Sequence, residues 1–403
     1  MANNSLLKIL YTITAYPPAI GGAELHTHRI ASILAKKHQV KAIAQWTENR
    51  TDWLLGTTWQ APESEQEYQI DGVAVRQITL TKAERWSLLP YVLGYYGIKK
   101  LAIDKIADLL APKIEQYAPP PDLDLIENVR MGREGLSYAS MKVARKLDIP
   151  FIFKPLHHPR WVGWNYRDYI NLYREADADI VLTNTEKQTL IELGVKEEKI
   201  FVTGIGPLVA ETSNAEKFRE QNSLGNNPIV LFLGQKYKYK GVEALWLAAA
   251  EVWKKIPDLR FVFIGPRTDF SRKIFAEAND SRVVELGNVS LEEKTNALAA
   301  CDLLCMPSMQ ESFGGVYTEA WIMGKPVIGG DIPAIRDVID DGVNGLVVKQ
   351  DPYTIAEKII ELMSQASLRE KMGNAGRQKV LERYTWEKLA LKTELAYRKV
   401  LQG

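Results

Sequence analysis

The segment Pro307–Val327, PSMQESFGGVYTEAWIMGKPV, limits the folds open to this chain more than any other, because it compresses a strand end, a loop and a helix start into one short stretch. The apolar run Cys301–Met306 before it reads as a buried strand that Pro307 stops. Gly314 and Gly315 then open a helix that Gly324 closes, with Pro326 as a further stop signal. Free backbone N–H groups point out of such a loop. The terminus carries roughly half a positive charge and suits an anion without a basic side chain.

Glu311 lies before that terminus and Glu319 about one turn inside it. A carboxylate accepts two hydrogen bonds from vicinal hydroxyls, so the pair suits a ligand with a diol on either side of a diphosphate, the layout of a nucleotide sugar. The plainer reading is two solvated glutamates around an ordinary loop.

The succession Pro-Ser, Glu-x-Phe-Gly, Glu-Ala and Gly-Lys-Pro-Val resembles the signature of the retaining glycosyltransferases of family four, the group 1 glycosyltransferases. The resemblance implies that Glu311 holds hydroxyls of the donor sugar and Glu319 the ribose. It also implies that Phe313, Gly314, Gly315 and Val316 line the donor site, with Asn288 and Val289 on a neighbouring loop. The fold implied is α/β of the GT-B type, two Rossmann-like doubly wound domains facing a central cleft, with a C-terminal helix crossing back to the first domain.

The chain of 403 residues is long enough for two domains, each with its own core. Composition fits a globular protein, 46% hydrophobic and 25% charged, and a net charge of +1 argues against a nucleic-acid-coating role. The N-terminal apolar stretch Leu6–Ile13 lacks the flanks of a signal peptide and reads as a first strand. Cys301 and Cys305, four apart in the predicted strand, would be separated by roughly 13 Å, too far for a disulfide, and read as core thiols in a reducing cytosol, which suggests a cytoplasmic protein.

Short apolar runs alternate with helical patterns through the first half, as in a doubly wound parallel sheet. Predicted strands cover Leu7–Thr14, Val40–Ala44, Asp124–Glu127, Phe151–Lys154, Ile180–Thr183 and Phe201–Thr203, with a helix over Ala23–Lys37. The breakers between Gly206 and Pro228 mark a boundary, placed as residues 1–206 plus a terminal helix over 386–403, and 207–385. The second half restarts with strands Ile229–Leu233, Phe261–Ile264, Val283–Leu286 and Asp302–Met306, then Pro326–Ile328, and a helix over Val242–Lys255.

Gly21 and Gly22 follow the first strand at the phosphate-binding position of a Rossmann-like unit, although their spacing is no dinucleotide fingerprint. With Tyr16-Pro17-Pro18, Ile20 and Glu24 they resemble the family's N-terminal loop, whose glycines approach the donor. His157 and His158 stand where the family carries a histidine that reaches the transferred sugar; His157 is preferred, and loop capping is the alternative. The aromatic segments 86–96 and 160–173 offer candidate acceptor contacts or a membrane-facing surface, against a plain reading as packing of amphipathic helices.

In GQKYKYKG, residues 234–241, the lysines Lys236, Lys238 and Lys240 would share one face if the stretch is extended. The loop resembles the family's Gly-Arg-x-x-x-x-Lys-Gly, whose Arg and Lys contact the diphosphate. Lys240 inherits that role, and Gln235 stands in place of the Arg, leaving Lys236 or Lys238 as substitutes. Pro333-Ala334 and Asp337 depart from the family's next loop.

The resemblance implies retaining, metal-independent transfer of a hexosyl unit from a UDP-sugar, UDP-glucose or a related hexose, to a glycan or lipid-linked oligosaccharide in polysaccharide biosynthesis. The nucleotide sugar is a substrate, so no cofactor is expected. Peripheral contact with a membrane is compatible with that acceptor. The alternatives are a catalytically weak sugar-nucleotide-binding subunit, or another GT-B chemistry such as an epimerase or phosphorylase.

Overall fold

The computed structural model describes residues 5–19, 21–50, 52–118, 122–157, 163, 166–276 and 280–402. Ile20, His158 and residues 160–162, 164 and 165 of the second aromatic segment lie outside them.

The chain divides into two compact units, residues 1–182, 186–203 and 386–403 in the first and 183–185 with 204–385 in the second. The sequence put the junction at 206/207 and kept 183–185 with the first unit. The contacts differ because Asp337 of the second unit accepts the Thr185 N–H at 2.6 Å.

In the first unit an eight-stranded sheet runs β3-β4-β2-β1-β5-β6-β7-β8. Its strands are β1 (Lys8–Ala15), β2 (Gln39–Trp46), β3 (Gln66–Ile70), β4 (Val73–Gln77), β5 (Leu125–Val129), β6 (Phe151–Lys154), β7 (Ala178–Val181) and β8 (Ile200–Val202). All neighbours are parallel except β3 and β4. β1 and β5–β7 are buried almost throughout, as strands covered by helices on both faces must be, which is why they read as continuous apolar runs. The β3–β4 hairpin was not foreseen. Its turn is Asp71-Gly72 with φ of 48° and 82°, the signature of a type I′ turn, so the Asp-Gly pair was the missed signal.

The helix Trp386–Gln402 belongs to this first unit. Tyr397 donates its hydroxyl to Glu127 on β5 and lies 2.7 Å from the Tyr11 hydroxyl on β1. Glu127 in turn sits 2.9 Å from Lys154 on β6, both side chains fully buried. Burial pushes both phenols well above their usual range, so they remain protonated donors.

The second unit holds a six-stranded parallel sheet in the order β11-β10-β9-β12-β13-β14. Its strands are β9 (Ile229–Leu233), β10 (Arg260–Ile264), β11 (Val283–Leu286), β12 (Leu303–Met306), β13 (Val327–Gly330) and β14 (Gly345–Val348). β12 starts later than expected because Cys301 ends the preceding helix Leu291–Ala300. Cys301 and Cys305 are both free and buried, which pushes the Cys301 thiol up to about 12 and Cys305 higher.

Candidate active site

The six-stranded sheet sets β9 beside β12, where its connections change direction. Loops leaving the carboxyl ends of two such strands part and open a crevice. The loops here are the two that the sequence singled out, Gly234–Gly241 and Pro307–Gly314.

Backbone bonds tie them together. The Met309 N–H donates to the Tyr239 carbonyl at 2.8 Å, and the Gln350 amide donates to the carbonyls of Tyr239 and Pro307 at 3.0 and 2.8 Å. Gly241 adopts φ 85°, and a Cβ there would lie 2.6 Å from Pro307 Cγ, so backbone and packing both demand glycine. Lys238–Lys240 form a 3₁₀ turn rather than an extended run, so the three lysines do not share a face.

Within this frame the Lys240 ammonium donates to Glu311 Oε1 at 2.5 Å, and the Ser308 hydroxyl donates to the same oxygen at 3.1 Å. Both long side chains are mostly buried, at 18% and 12% exposure. Glu311 Oε2 appears in neither contact.

The helix Gly315–Ile322 starts after Gly314, whose φ of 82° turns the chain into it. The N–H groups of Gly315 and Val316 are first-turn donors that no helical carbonyl can satisfy. Tyr317 donates its hydroxyl to the Met306 carbonyl at 2.9 Å and fixes the helix to the end of β12. Glu319 is buried, and Lys294 donates to its Oε1 at 2.8 Å. Its Oε2 makes no hydrogen bond of good geometry among the described residues, although the Leu208 N–H approaches the carboxylate. Burial raises the Glu319 carboxyl, and Lys294 opposes that rise. The helix terminus thus lies between two carboxylates, each held by a lysine.

Several expected donor contacts are turned elsewhere. Lys236 is fully buried, its ammonium bound to Glu285 and to the Leu286 carbonyl, so it is no substitute for the absent Arg. Burial lowers its affinity for a proton, and Glu285 opposes the change. Lys238 is 73% exposed and 3.5 Å from Glu243. Gln235 is exposed. Phe313 is a core residue, edge-on to Tyr384 at 5.4 Å, and offers a ligand only its backbone. Asn288 and Val289 follow β11, outside the carboxyl edge of the same sheet, and Asn288 is exposed. Pro333 starts a short helix, and Asp337 is committed to the Thr185 N–H.

In the first unit Gly21 caps the helix Gly22–Leu34 with extended backbone, φ −161°. Glu24 folds its carboxylate over that terminus: a Cβ on Gly21 would lie 2.3 Å from Glu24 Oε2. A resident acid therefore occupies the end that the sequence offered to a phosphate, whereas the space over Gly22 is open. The Tyr16 hydroxyl lies 3.1 Å from His28 Nδ1, and His28 Nε2 lies 2.9 Å from Asp71, which holds the loop before Gly21 to the β3–β4 turn.

His157 follows β6 and is buried. Its N–H donates to Glu186 Oε1 at 2.6 Å, and its Nδ1 lies 3.3 Å from the Tyr173 hydroxyl, which also accepts from Arg130. Glu186 Oε2 accepts the Leu182 N–H, so one buried carboxylate sets the course of the histidine loop. Tyr169 and Tyr173 are core residues and not free faces for an acceptor, whereas Trp86 is 64% exposed.

Among the described residues no three His, Cys, Asp or Glu side chains converge as a metal site, and no helix is long and apolar enough to cross a membrane.

Residues 213–379, which include both crevice loops, match the family model described as glycosyl transferases group 1. The second unit, in which that stretch lies, is similar to the group 1 glycosyltransferases. The chain is 23% identical over 413 residues to an uncharacterized glycosyltransferase of Methanocaldococcus jannaschii, covering 97% of this chain and 98% of the relative. An alpha-D-kanosaminyltransferase of Streptomyces kanamyceticus is 33% identical over 168 residues, 40% of this chain and 43% of that protein. The structure of HepE from Anabaena, solved with UDP and glucose, superposes with a TM-score of 0.71 at 18% identity, covering 96% of this chain and 98% of HepE. The two parallel-sheet units are those of the GT-B fold.

Three site residues escaped sequence reasoning. Ser308 sat inside the quoted motif and could have been weighed as a Glu311 partner. Lys294 and Gln350 could not: Lys294 reaches Glu319 on the helix Gly315–Ile322 from the helix before β12, Gln350 reaches the carbonyls of both loops from beyond β14, and no local spacing records either contact.

Proposed function

We propose that this chain is a group 1 glycosyltransferase that transfers a hexosyl unit from UDP-glucose or a related UDP-hexose, with retention, to a glycan or lipid-linked acceptor in polysaccharide synthesis. The observation that carries the reading is the Lys240–Glu311 pair beside the Gly315 and Val316 N–H groups. It sets a cation and two amide donors next to a carboxylate that can take sugar hydroxyls. Glu319, with one buried oxygen short of a partner, is suited to a ribose diol. That HepE was solved with UDP and glucose supports a uridine donor.

In this reading the diphosphate lies against Lys240 and the helix terminus. As the bond to the anomeric carbon breaks, negative charge grows on the leaving phosphate, where preorganised donors stabilise it most. The acceptor hydroxyl attacks from the same face and its proton passes to a phosphate oxygen, so neither a carboxylate nucleophile nor a metal ion is required. His157, Gly21 and Gly22 are the candidates of the first unit, and a phosphate approaching Gly21 would displace the Glu24 carboxylate.

Thermal-shift screening with UDP-, GDP- and ADP-sugars tests the donor. A ligand at a hundred times its Kd should stabilise by about 2.7 kcal/mol. A response to UDP-hexoses alone, with slow release of UDP and an α-configured product, is expected; a response to GDP- or ADP-sugars alone would reject the uridine assignment.

A further inference from the structure

We infer that the outward face of the helix Lys82–Leu93, with the turn that follows it, docks on an anionic lipid bilayer. A surface helix normally carries one apolar stripe. This one is apolar on both sides: Leu88 and Val92 are buried, while Trp86 and Leu93 are 64% and 79% exposed. From Leu88 to Leu93 the sequence LLPYVL holds no charged side chain. The exposed row continues through Tyr96, Ile98 and Leu101. Single exposed apolar side chains are ordinary, but a continuous row of them marks an interaction surface.

The rim selects the occupant. Lys82, Lys100 and Lys105 are exposed and make no ion pair among the described residues. The acids of the same segment are already engaged: Glu84 lies 3.2 Å from Lys113, and Asp104 lies 3.8 Å from Lys142. Residues 82–105 therefore concentrate positive charge in a chain whose total is only +1. Trp86 packs edge-on against Trp59 at 4.7 Å and Arg133 donates to the Tyr96 hydroxyl at 2.6 Å, so the aromatic rings are held in place. Protruding apolar side chains, amphipathic rings and a lysine border match the acyl boundary, headgroup layer and negative potential of an anionic leaflet. This inference stands independently of the sugar-transfer reading.

Flotation of the full chain with phosphatidylcholine vesicles, with and without phosphatidylglycerol, tests it. The protein should float with the anionic vesicles, show a blue-shifted tryptophan emission, and lose binding as salt is raised. Trp86→Ser with Leu93→Ser should abolish flotation while circular dichroism and UDP affinity stay unchanged. Changing Lys82, Lys100 and Lys105 to Gln should lower partitioning about 100-fold, at about fivefold for each lysine. A wild-type protein that stays in the unbound fraction overturns the proposal, as do variants that float like wild type. A dimer in sedimentation that the Ser variants dissolve would assign the face to a second copy and also overturn it.

Discussion

Lys240 and Glu311 leave the carboxyl ends of neighbouring strands and meet at 2.5 Å, so the protein already holds its candidate cation and sugar carboxylate against each other. In the proposed reading donor binding would share Lys240 between two anions instead of recruiting it from solvent. Its removal deletes a charge-assisted contact and also leaves a mostly buried Glu311 without its cation. Lys240→Ala should lower turnover about ten- to a hundredfold, the equivalent of about 1.5 to 3 kcal/mol. Initial rates at saturating UDP-glucose would measure it, and a change below twofold would remove Lys240 from leaving-group stabilisation.

Glu319 and Glu311 should separate when tested with UDP and with UDP-sugar by calorimetry. Glu319→Ala is expected to weaken UDP itself, because the ribose loses its acceptor. Glu311→Ala should leave UDP affinity nearly intact and cost discrimination for the sugar. Equal loss of UDP affinity in both variants would reject the two assignments.

Gln235 and Lys236 make opposite predictions. Lys236 is committed to Glu285, which keeps Arg267 as a second partner at 2.7 Å. Lys236→Ala should therefore lower stability by less than about 3 kcal/mol and change UDP affinity little. Gln235→Arg supplies the family's residue at an exposed position and should tighten UDP binding. Calorimetry and denaturant titration on both variants check this. An unaltered Gln235→Arg protein together with a large UDP loss in Lys236→Ala is the opposite outcome.

In the proposed reading Lys240 and the helix terminus fill the cation role, so transfer should persist in a strong chelator. Activity abolished by EDTA and restored by Mg or Mn would show otherwise.

Burial raises Glu186 to about 7, and Asp179 facing it is pushed in the same direction. Between the unfolded value near 4.5 and about 7 the folded state holds a proton that the unfolded chain has released. Stability from this group is thus present below that window and is lost as pH rises through it, by roughly 3 kcal/mol at most. Denaturant unfolding from pH 5 to 7 should show the fall, and Glu186→Gln should flatten it in part, with Asp179 supplying the remainder. A slope unchanged by the substitution would contradict the assignment.

The strands were legible where burial on both faces made them continuous apolar runs. Phe151–Lys154 and Ile229–Leu233 lie where those runs put them. The hairpin was missed because an exposed β3 carries no such run. At the site, the motif residues were legible as types but their pairings were not. Lys240 meets Glu311 only because β9 lies beside β12, a choice of strand order that no local spacing records. Lys236 was misread for a related reason. Its fate depends on Glu285 near the end of β11, which pairs with Phe263 of β10 and so faces the loop after β9.

The return of Trp386–Gln402 to the first unit orders events on the ribosome. Tyr397, which closes the buried Glu127–Lys154 pair, is synthesised only after the whole second unit has emerged. At ordinary elongation speeds of about 5–20 residues per second, the N-terminal sheet would wait roughly 10–40 s with a paired but uncovered charge in its middle. The first unit therefore holds that pair without the Tyr397 hydroxyl until its final helix arrives.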